Sequence, residues 1–592
     1  MRLADFVIKF LENKKIKTVF TVSGGGSIHL CDALYKSKKI KYISCHHEQA
    51  ASFAAESYSR LTNKPGAALV TTGPGGTNCM TGVSCCWIDS VPMIFISGQV
   101  NLNQTISNSG LRQIGVQEID IINIVKSNTK YAVKVDNPKK IKFYLEKAYK
   151  ICNEGRPGPV WIDVPADIQN AEINPKKLLT YKPKKIVKKK RNESIDRKIK
   201  KIARLLTKSK NPLIHAGYGV RISGGQNYFR KIVDKYKIPF ALTWNASDLI
   251  ESDHENYVGR PGTFAERGSN FIVQNCDLYL SIGTRLPFMV TGYDTGDFAR
   301  KAKKIMIDID KKEVKKSRVN LDMRISCDAN YFLKRLMSYM PNKIDVSKHW
   351  LQYCKNIRKK YPIVMKEFIN QKKYLNSYYF IEKLSEILKE KDIIVTDMGL
   401  SFTGTHQTFK VKRGQRLYTN SGHAPMGWGL PAAIGAYYAR KNQRIICLAG
   451  EGGFQMNIQE LATSMHNKLP IKIFIFNNGG YQTIKQTQQH RFQGRIMGAN
   501  FSSGLSFPDY KKIADSHKIR YFKIKNNLNL KNNILRVLKK NGPIICELMI
   551  NPDQEQMPRA LYKWKTKKIS VKSKYEDMYP FLPAEEIQEN ML

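Results

Sequence analysis

Along the chain, stretches with apolar residues at helical spacing alternate with short β-branched runs, the pattern of parallel sheets flanked by helices. The alternation falls into three blocks. The first, residues 1–170, opens with MRLADFVIKFLENKK, where Asp5 and Glu12 interrupt the apolar face; the spacing predicts an amphipathic helix rather than a cleaved leader. It carries predicted strands at 17–22, 67–72 and 93–98 and closes near GRPGPVWIDVP (155–165). The second, 195–340, has strands at 212–217, 277–283 and 304–310, and the third, 373–552, at 392–397, 444–450, 471–478 and 543–550. A basic linker, 171–194, and a helical linker, 341–372, separate the blocks. A polar tail with scattered aromatics, 553–592, is predicted to pack over another surface. The fold class is therefore α/β: three domains, each with a mainly parallel sheet flanked by helices.

Composition narrows the picture. At 592 residues the chain exceeds what one core supports, and no run reaches the roughly 18 apolar residues of a spanning helix, so no membrane is expected. Lys and Arg outnumber Asp and Glu by 98 to 49. The lysines are scattered over the whole length, and the one dense run, 182–201, reads as a solvated segment, so nucleic acid is not the expected partner. Eleven cysteines with no CxxC pair predict reduced thiols in a cytoplasm.

The strongest chemical signal is GEGGFQMNIQELATSMHNKLPIKIFIFNNGGY, residues 450–481. A strand ends at Gly450, Glu451 follows, and Gly452 and Gly453 would let backbone approach a phosphate at the start of a helix. The next strand ends at Asn477-Asn478. Successive parallel strands end side by side, so Glu451, Asn478 and a carbonyl near Gly480 can offer oxygens to one Mg²⁺, with diphosphate oxygens and water completing its shell.

This motif resembles the signature of thiamine-diphosphate enzymes, and the rest of the chain agrees. HHEQAA (46–51), TTGPGGTN (71–78), GRPGPVWIDVP (155–165) and SGHAPMGWGLPAAIGA (421–436) are similar to the catalytic subunits of acetolactate synthases, and the EDMYPFLP tail (576–583) is similar to a branch linked to cell-surface polysaccharides. The resemblance implies the thiamine-diphosphate-binding fold: a pyrimidine-binding domain, a central domain and a diphosphate-binding domain. It implies that Glu48 bonds the pyrimidine N1′ in a dry pocket and shares a proton there, that Gln117 faces the substrate, and that a Gly25 backbone donor stabilises an oxyanion. It places Pro74, Asn78, Met398, Gly399, Leu400, Ser401, Ala424, Met426, Gly450, Gly452, Gly453 and Tyr481 at the cofactor, with Met426 propping its bent form, and assigns the metal to Glu451, Asn478 and Gly480. His29 and His47 read as capping or core histidines. A homodimer or homotetramer is implied, with Glu48 and Glu451 meeting across subunits.

Departures from the family limit what carries over. Glu451 stands where Asp is usual. Met289 replaces a substrate-contacting arginine, Thr487 a tryptophan and Val116 a phenylalanine. These suggest a wider acceptor pocket, with Lys485, Arg491 and Arg495 near enough to attract an anion. Val290-Thr291-Gly292 remains as in FAD-binding members, but Pro261-Gly262 replaces their His-Gly, which argues against FAD. The expected function is a thiamine-diphosphate- and Mg²⁺-dependent carboligase that decarboxylates a 2-oxo acid and transfers the remnant to a carbonyl acceptor such as a keto-sugar. The alternatives are a true acetolactate synthase condensing two pyruvates and a non-catalytic binding or regulatory relative.

Overall fold

A computed structural model describes residues 1–107, 109–183, 189–564 and 570–592. The first sheet contains β1 (Thr18–Thr21), β2 (Lys41–Ser44), β3 (Gly66–Val70), β4 (Met93–Gln99), β5 (Tyr131–Lys134) and β6 (Pro159–Pro165), in the order β2-β1-β3-β4-β6-β5. The central sheet contains β7 (Pro212–Ala216), β8 (Phe240–Leu242), β9 (Leu278–Ile282), β10 (Lys303–Asp308) and β11 (Met323–Ser326), in the order β11-β10-β9-β7-β8. The third contains β12 (Ile393–Thr396), β13 (Arg416–Tyr418), β14 (Ile445–Gly450), β15 (Lys472–Asn477), β16 (Arg520–Ile524) and β17 (Ile544–Met549), in the order β13-β12-β14-β15-β17-β16. All three are parallel. The first and third sheets thus share one strand order. Their inner strands are buried at nearly every position, as helices on both faces require.

These two domains pack through the helices Glu48–Thr62 and Gly429–Ala439. Their contact faces are rich in Ala and Gly, and a Cβ on Gly435 would sit 2.0 Å from the Ala54 carbonyl oxygen, so the two backbones approach closely. A buried charge cluster pins the same junction. Arg60 donates to Glu56 (2.6 Å) and Asp89 (2.7 Å), and Glu56 also accepts from Asn420 (2.9 Å) and Trp428 (2.8 Å). Glu56 thus takes donors from both domains and ties them together.

Two expected boundaries shift. Ile173 and Leu178, in the expected basic linker, are buried in the first domain's core, and the Ile173 N–H donates to the Met1 carbonyl, so this part belongs to that domain. A helix, Lys189–Lys208, continues from the linker into the central domain, and residues 184–188 lie outside the described residues. The expected helical linker likewise joins the central domain: helix Lys348–Lys360 buries Trp350, Cys354 and Ile357 there, and Trp350 Nε1 donates to the Pro212 carbonyl. The tail leaves β17 and wraps the central domain. Glu576 pairs with Arg300, Arg267 donates to the Met578 and Pro580 carbonyls, and Asn590 is held by Asn275. Ten of the eleven cysteines are buried, Cys31 being the exception, and among the described residues no helix is long and apolar enough to cross a membrane.

Candidate functional site

At the carboxyl edge of the first sheet, the chain leaves β2 and enters helix Glu48–Thr62. His47 caps that helix, its Nδ1 accepting from the Gln49 N–H at 3.1 Å, which is the capping role expected of it. Glu48 is buried, and its Oε2 accepts from Asn78 Nδ2 at 2.9 Å. Asn78 and Pro74 lie on the helical turn after β3, where Gly75 packs near the Glu48 carboxylate. The Gly25 turn is locked to the same loop: Gly26 N–H donates to Thr71 Oγ1, and a Cβ on Gly24 would collide with Thr71 at 2.6 Å. Gln117 adopts φ +65° beside Gly73, where a Cβ would meet the Gln117 carbonyl oxygen at 2.3 Å. Glu48, Gly25, Pro74, Asn78 and Gln117 therefore gather on one edge. Its apolar rim is exposed, Val116 at 85% and Ile28 at 58%.

The matching edge of the third sheet holds the second cluster. Glu451 is buried, and its Oε1 accepts from the N–H groups of Asn478 (2.9 Å) and Gly480 (2.8 Å). Burial pushes the carboxyl up to about 7 against those hydrogen bonds. The amide oxygen of Asn478 is buried with no partner among the described residues. A carboxylate beside an orphaned amide oxygen and a turn carbonyl fits a hard cation. Among the described residues, no group of three or more His, Cys, Asp or Glu could hold a metal ion.

Gly452 and Gly453 are packed closely by protein groups. A Cβ on Gly452 would lie 2.2 Å from the Tyr481 ring and 2.9 Å from Met426 Cε, and one on Gly453 would lie 2.5 Å from Asp397 Oδ1. The glycines seat protein groups, bringing Met426 and Tyr481 over the start of the Glu451 helix. The turn Met398–Ser401 enters its helix through Gly399 at φ +87°. Leu400 belongs to the hydrophobic core, and the buried Ser401 hydroxyl donates to the Asp397 and Met398 carbonyls. The Phe402 and Thr403 N–H groups donate to the Gly399 carbonyl, so the N–H groups of Leu400 and Ser401 are the donors this helix start offers an anion. Ala424, at φ +57°, and Gly450 flank the two turns.

Several supporting residues escaped sequence reasoning. Asp397 accepts from Met398 (2.7 Å), Gly427 (3.2 Å) and Gly429 (2.8 Å), tying the Gly399 turn to the Met426 turn, and burial raises its carboxyl to about 6. Its place at a strand end before Met-Gly is a signal that could have found it. Asn457 donates to both Gln49 Oε1 and the Gly427 carbonyl, and Glu460 accepts from the His46 N–H, so the Glu48 helix is registered on the third domain. Tyr510 donates to the Glu451 carbonyl. No local motif announces these three.

A third feature is a cavity of about 520 Å³ at the carboxyl edge of the central sheet, lined by Gly219, Trp244, Gly283, Arg285, Met289 and Asp308 among others. It opens between β7 and β9, where the strand order reverses. A Cβ on Gly217 would sit 2.2 Å from the Gly283 carbonyl oxygen, so the two loops touch backbone to backbone. Of the expected acceptor-side residues, Met289 contacts Thr263, and Thr487 turns its hydroxyl back onto its own helix. Lys485 is held by the Pro552 carbonyl and Asp553, while Arg491 and Arg495 are exposed.

Residues 1–124 match the N-terminal TPP binding domain of thiamine pyrophosphate enzymes, 199–336 the central domain and 397–548 the C-terminal TPP binding domain. The chain is 34% identical over 563 residues to an acetolactate synthase large subunit of Cyanidium caldarium, covering 93% of this chain and 94% of that one. A probable acetolactate synthase large subunit of Methanocaldococcus jannaschii is 33% identical, covering 93% and 92%. The isozyme 1 large subunit of Escherichia coli is 28% identical, covering 94% and 95%.

Proposed function

Because the chain belongs to the thiamine-diphosphate-dependent, acetolactate-synthase-like enzymes, we propose that it joins two 2-oxo acids, with pyruvate as donor. Condensing two pyruvates releases one CO₂, takes up one proton and leaves acetolactate. The names of its relatives favour this reading over the keto-sugar acceptor expected from Val116, Met289 and Thr487. The observation that carries it is the path of the tail. Gln556 N–H donates to Gln486 and its side chain to Thr483, while Ala560 N–H donates to the carbonyl of Thr263, the residue that holds Met289. Residues 556–560 thus bridge the two walls that smaller side chains were expected to leave apart.

Bound thiamine diphosphate supplies the electron sink that decarboxylation needs. Glu451, Asn478 Oδ1 and the Gly480 carbonyl would hold Mg²⁺, and the first-turn N–H groups after Gly399 the diphosphate. Glu48, oriented by Asn78, would share a proton with the pyrimidine N1′. Met426, wedged on Gly452, would set the bend between the two rings. Gly25 and Gln117 border the same half-site, where the one would donate to a developing oxyanion and the other orient the substrate.

The open rim of each half-site supports assembly with a second copy, as a homodimer or homotetramer. Met497 and Phe501, each 83% exposed, flank the Glu451 cluster as Val116 and Ile28 flank Glu48. The central cavity fits a dinucleotide such as FAD: Asp308 at the end of β10 suits ribose hydroxyls and the glycine loops suit a diphosphate. Flavin absorbance of the purified protein checks that part. The function is tested by supplying pyruvate, thiamine diphosphate and Mg²⁺ and following CO₂ and product mass. Acetolactate is expected. Absence of CO₂ rejects the proposal, and CO₂ released only with a bulky carbonyl acceptor restores the wider-pocket reading.

A further inference from the structure

A 2-oxo acid acceptor carries a carboxylate, and the loop that faces the central cavity offers it no cation at Met289. The tail does. Arg559 lies on the bridging segment, backbone-paired with Phe264 on one side and with Tyr579 on the other. It is 4% exposed, and its Nε and Nη2 have no hydrogen-bond partner among the described residues. No ion pair within 4.0 Å involves it among those residues either. Glu555, Tyr293, Tyr378 and Tyr579 surround it, and Glu555 instead contacts His490.

A buried guanidinium with two idle donors is costly to the fold, because desolvation disfavours the charge and each unmade hydrogen bond adds to the penalty. The protein holds it there all the same, with burial depressing its pKa. The two free N–H groups are adjacent in the planar fork that grips a carboxylate through parallel bonds. The site is built rather than incidental: three side chains of the helix after the metal turn, Thr483, Gln486 and His490, engage residues 555–556, and Thr263 engages Ala560. These contacts fix Arg559 between the helix carrying Thr487 and the turn carrying Met289.

We propose that Arg559 binds the carboxylate of the acceptor 2-oxo acid. The inference rests on the carboligase reading and deepens it by naming the group that selects the acceptor. A cation carried by the tail makes acceptor choice depend on the docking of residues 556–560.

The test is a competition on the full enzyme, with pyruvate as donor and either 2-oxobutyrate, which bears a carboxylate, or acetaldehyde, which does not, as acceptor. Arg559→Met should lower the ratio of kcat/KM for 2-oxobutyrate to that for acetaldehyde by about 10- to 100-fold. Arg559→Lys, a point charge without the fork, should lower it less. Adding Met289→Arg to Arg559→Met returns a cation to the facing turn and should recover much of the ratio. If Arg559→Met proves insoluble, Arg559→Lys and Arg559→Gln carry the same comparison. A ratio unchanged within about threefold, or equal losses with both acceptors, overturns the inference while leaving acetolactate formation intact. A wild-type enzyme that releases no CO₂ from pyruvate instead overturns the function on which it rests.

Discussion

Asp163 offers a sharp test of how the first half-site is held. It sits on β6, fully buried, accepting from Ser97 Oγ at 2.5 Å and from Gln99 Nε2 at 3.3 Å. Gln99 accepts from the Thr72 hydroxyl and donates to the Ile119 carbonyl at 3.1 Å, so this chain of bonds reaches the loops bearing Pro74 and Gln117. Burial, the largest influence, raises the Asp163 carboxyl from 3.8 to about 7, against the pull of Ser97, Gln99 and Lys134 and with a small push from Asp120. A carboxyl raised on folding contributes stability that is full below 3.8 and lost as pH climbs to about 7. At about 1.4 kcal/mol per pH unit, the loss is about 4 kcal/mol. Asp163→Asn stays neutral throughout, but its amide turns a donor toward Gln99 and costs about 2 kcal/mol at every pH. The variant should therefore be less stable than wild type by about 1 kcal/mol near pH 4.5 and more stable by about 2 kcal/mol at pH 8, the latter a few degrees in Tm. Thermal scans of both proteins across that range cancel the other titrating groups. A Tm difference of the same sign at every pH would refute the burial argument.

Asn478→Ala removes the orphaned amide oxygen and should raise the Mg²⁺ concentration needed for half-maximal activity by about 10- to 100-fold, with recovery at high metal. Gly452→Ala drives a methyl into the Tyr481 ring, so thiamine-diphosphate affinity measured by calorimetry should fall at least about tenfold while the fold loses only about 1–3 kcal/mol. Co-expressed Glu48→Gln and Asn478→Ala chains, each inactive alone at low metal, should form hybrids with one intact site, returning about a quarter of wild-type activity in random dimers. No recovery in mixed oligomers would mean that one chain builds a complete site.

Much of this architecture was legible because parallel strands buried on both faces print themselves as continuous apolar runs, as in Ile445–Gly450 and Lys472–Asn477. The edge strands β5, β11 and β16 were not, since half-exposed positions break that signal. At the site, Glu451 and Asn478 stood out by their place at strand ends, whereas Glu48 was singled out only through the family resemblance. Their supports did not: Asn457, Glu460 and Tyr510 act through contacts more than 25 residues away in sequence. Gly452 and Gly453 stood out as glycines, but a missing side chain does not say which protein groups pack there, and Tyr481, Met426 and Asp397 do. The acceptor side was harder to read from the sequence. Val116, Met289 and Thr487 implied an opening, and residues 556–560, remote in sequence, contact the helix carrying Thr487 and the residue that holds Met289.

In the proposed function, Glu48 shares a proton with the pyrimidine N1′ of a cofactor anchored at Glu451 and Asn478. Hydrogen–deuterium exchange at the cofactor's C2, followed by acid quench and NMR on protein loaded with thiamine diphosphate and Mg²⁺, reads that step without needing the right substrate. Wild type should exchange far faster than free cofactor. Glu48→Gln, with cofactor still bound, should exchange more slowly than wild type by about 10²–10⁴-fold. Wild-type exchange in the loaded Glu48→Gln protein would contradict the account.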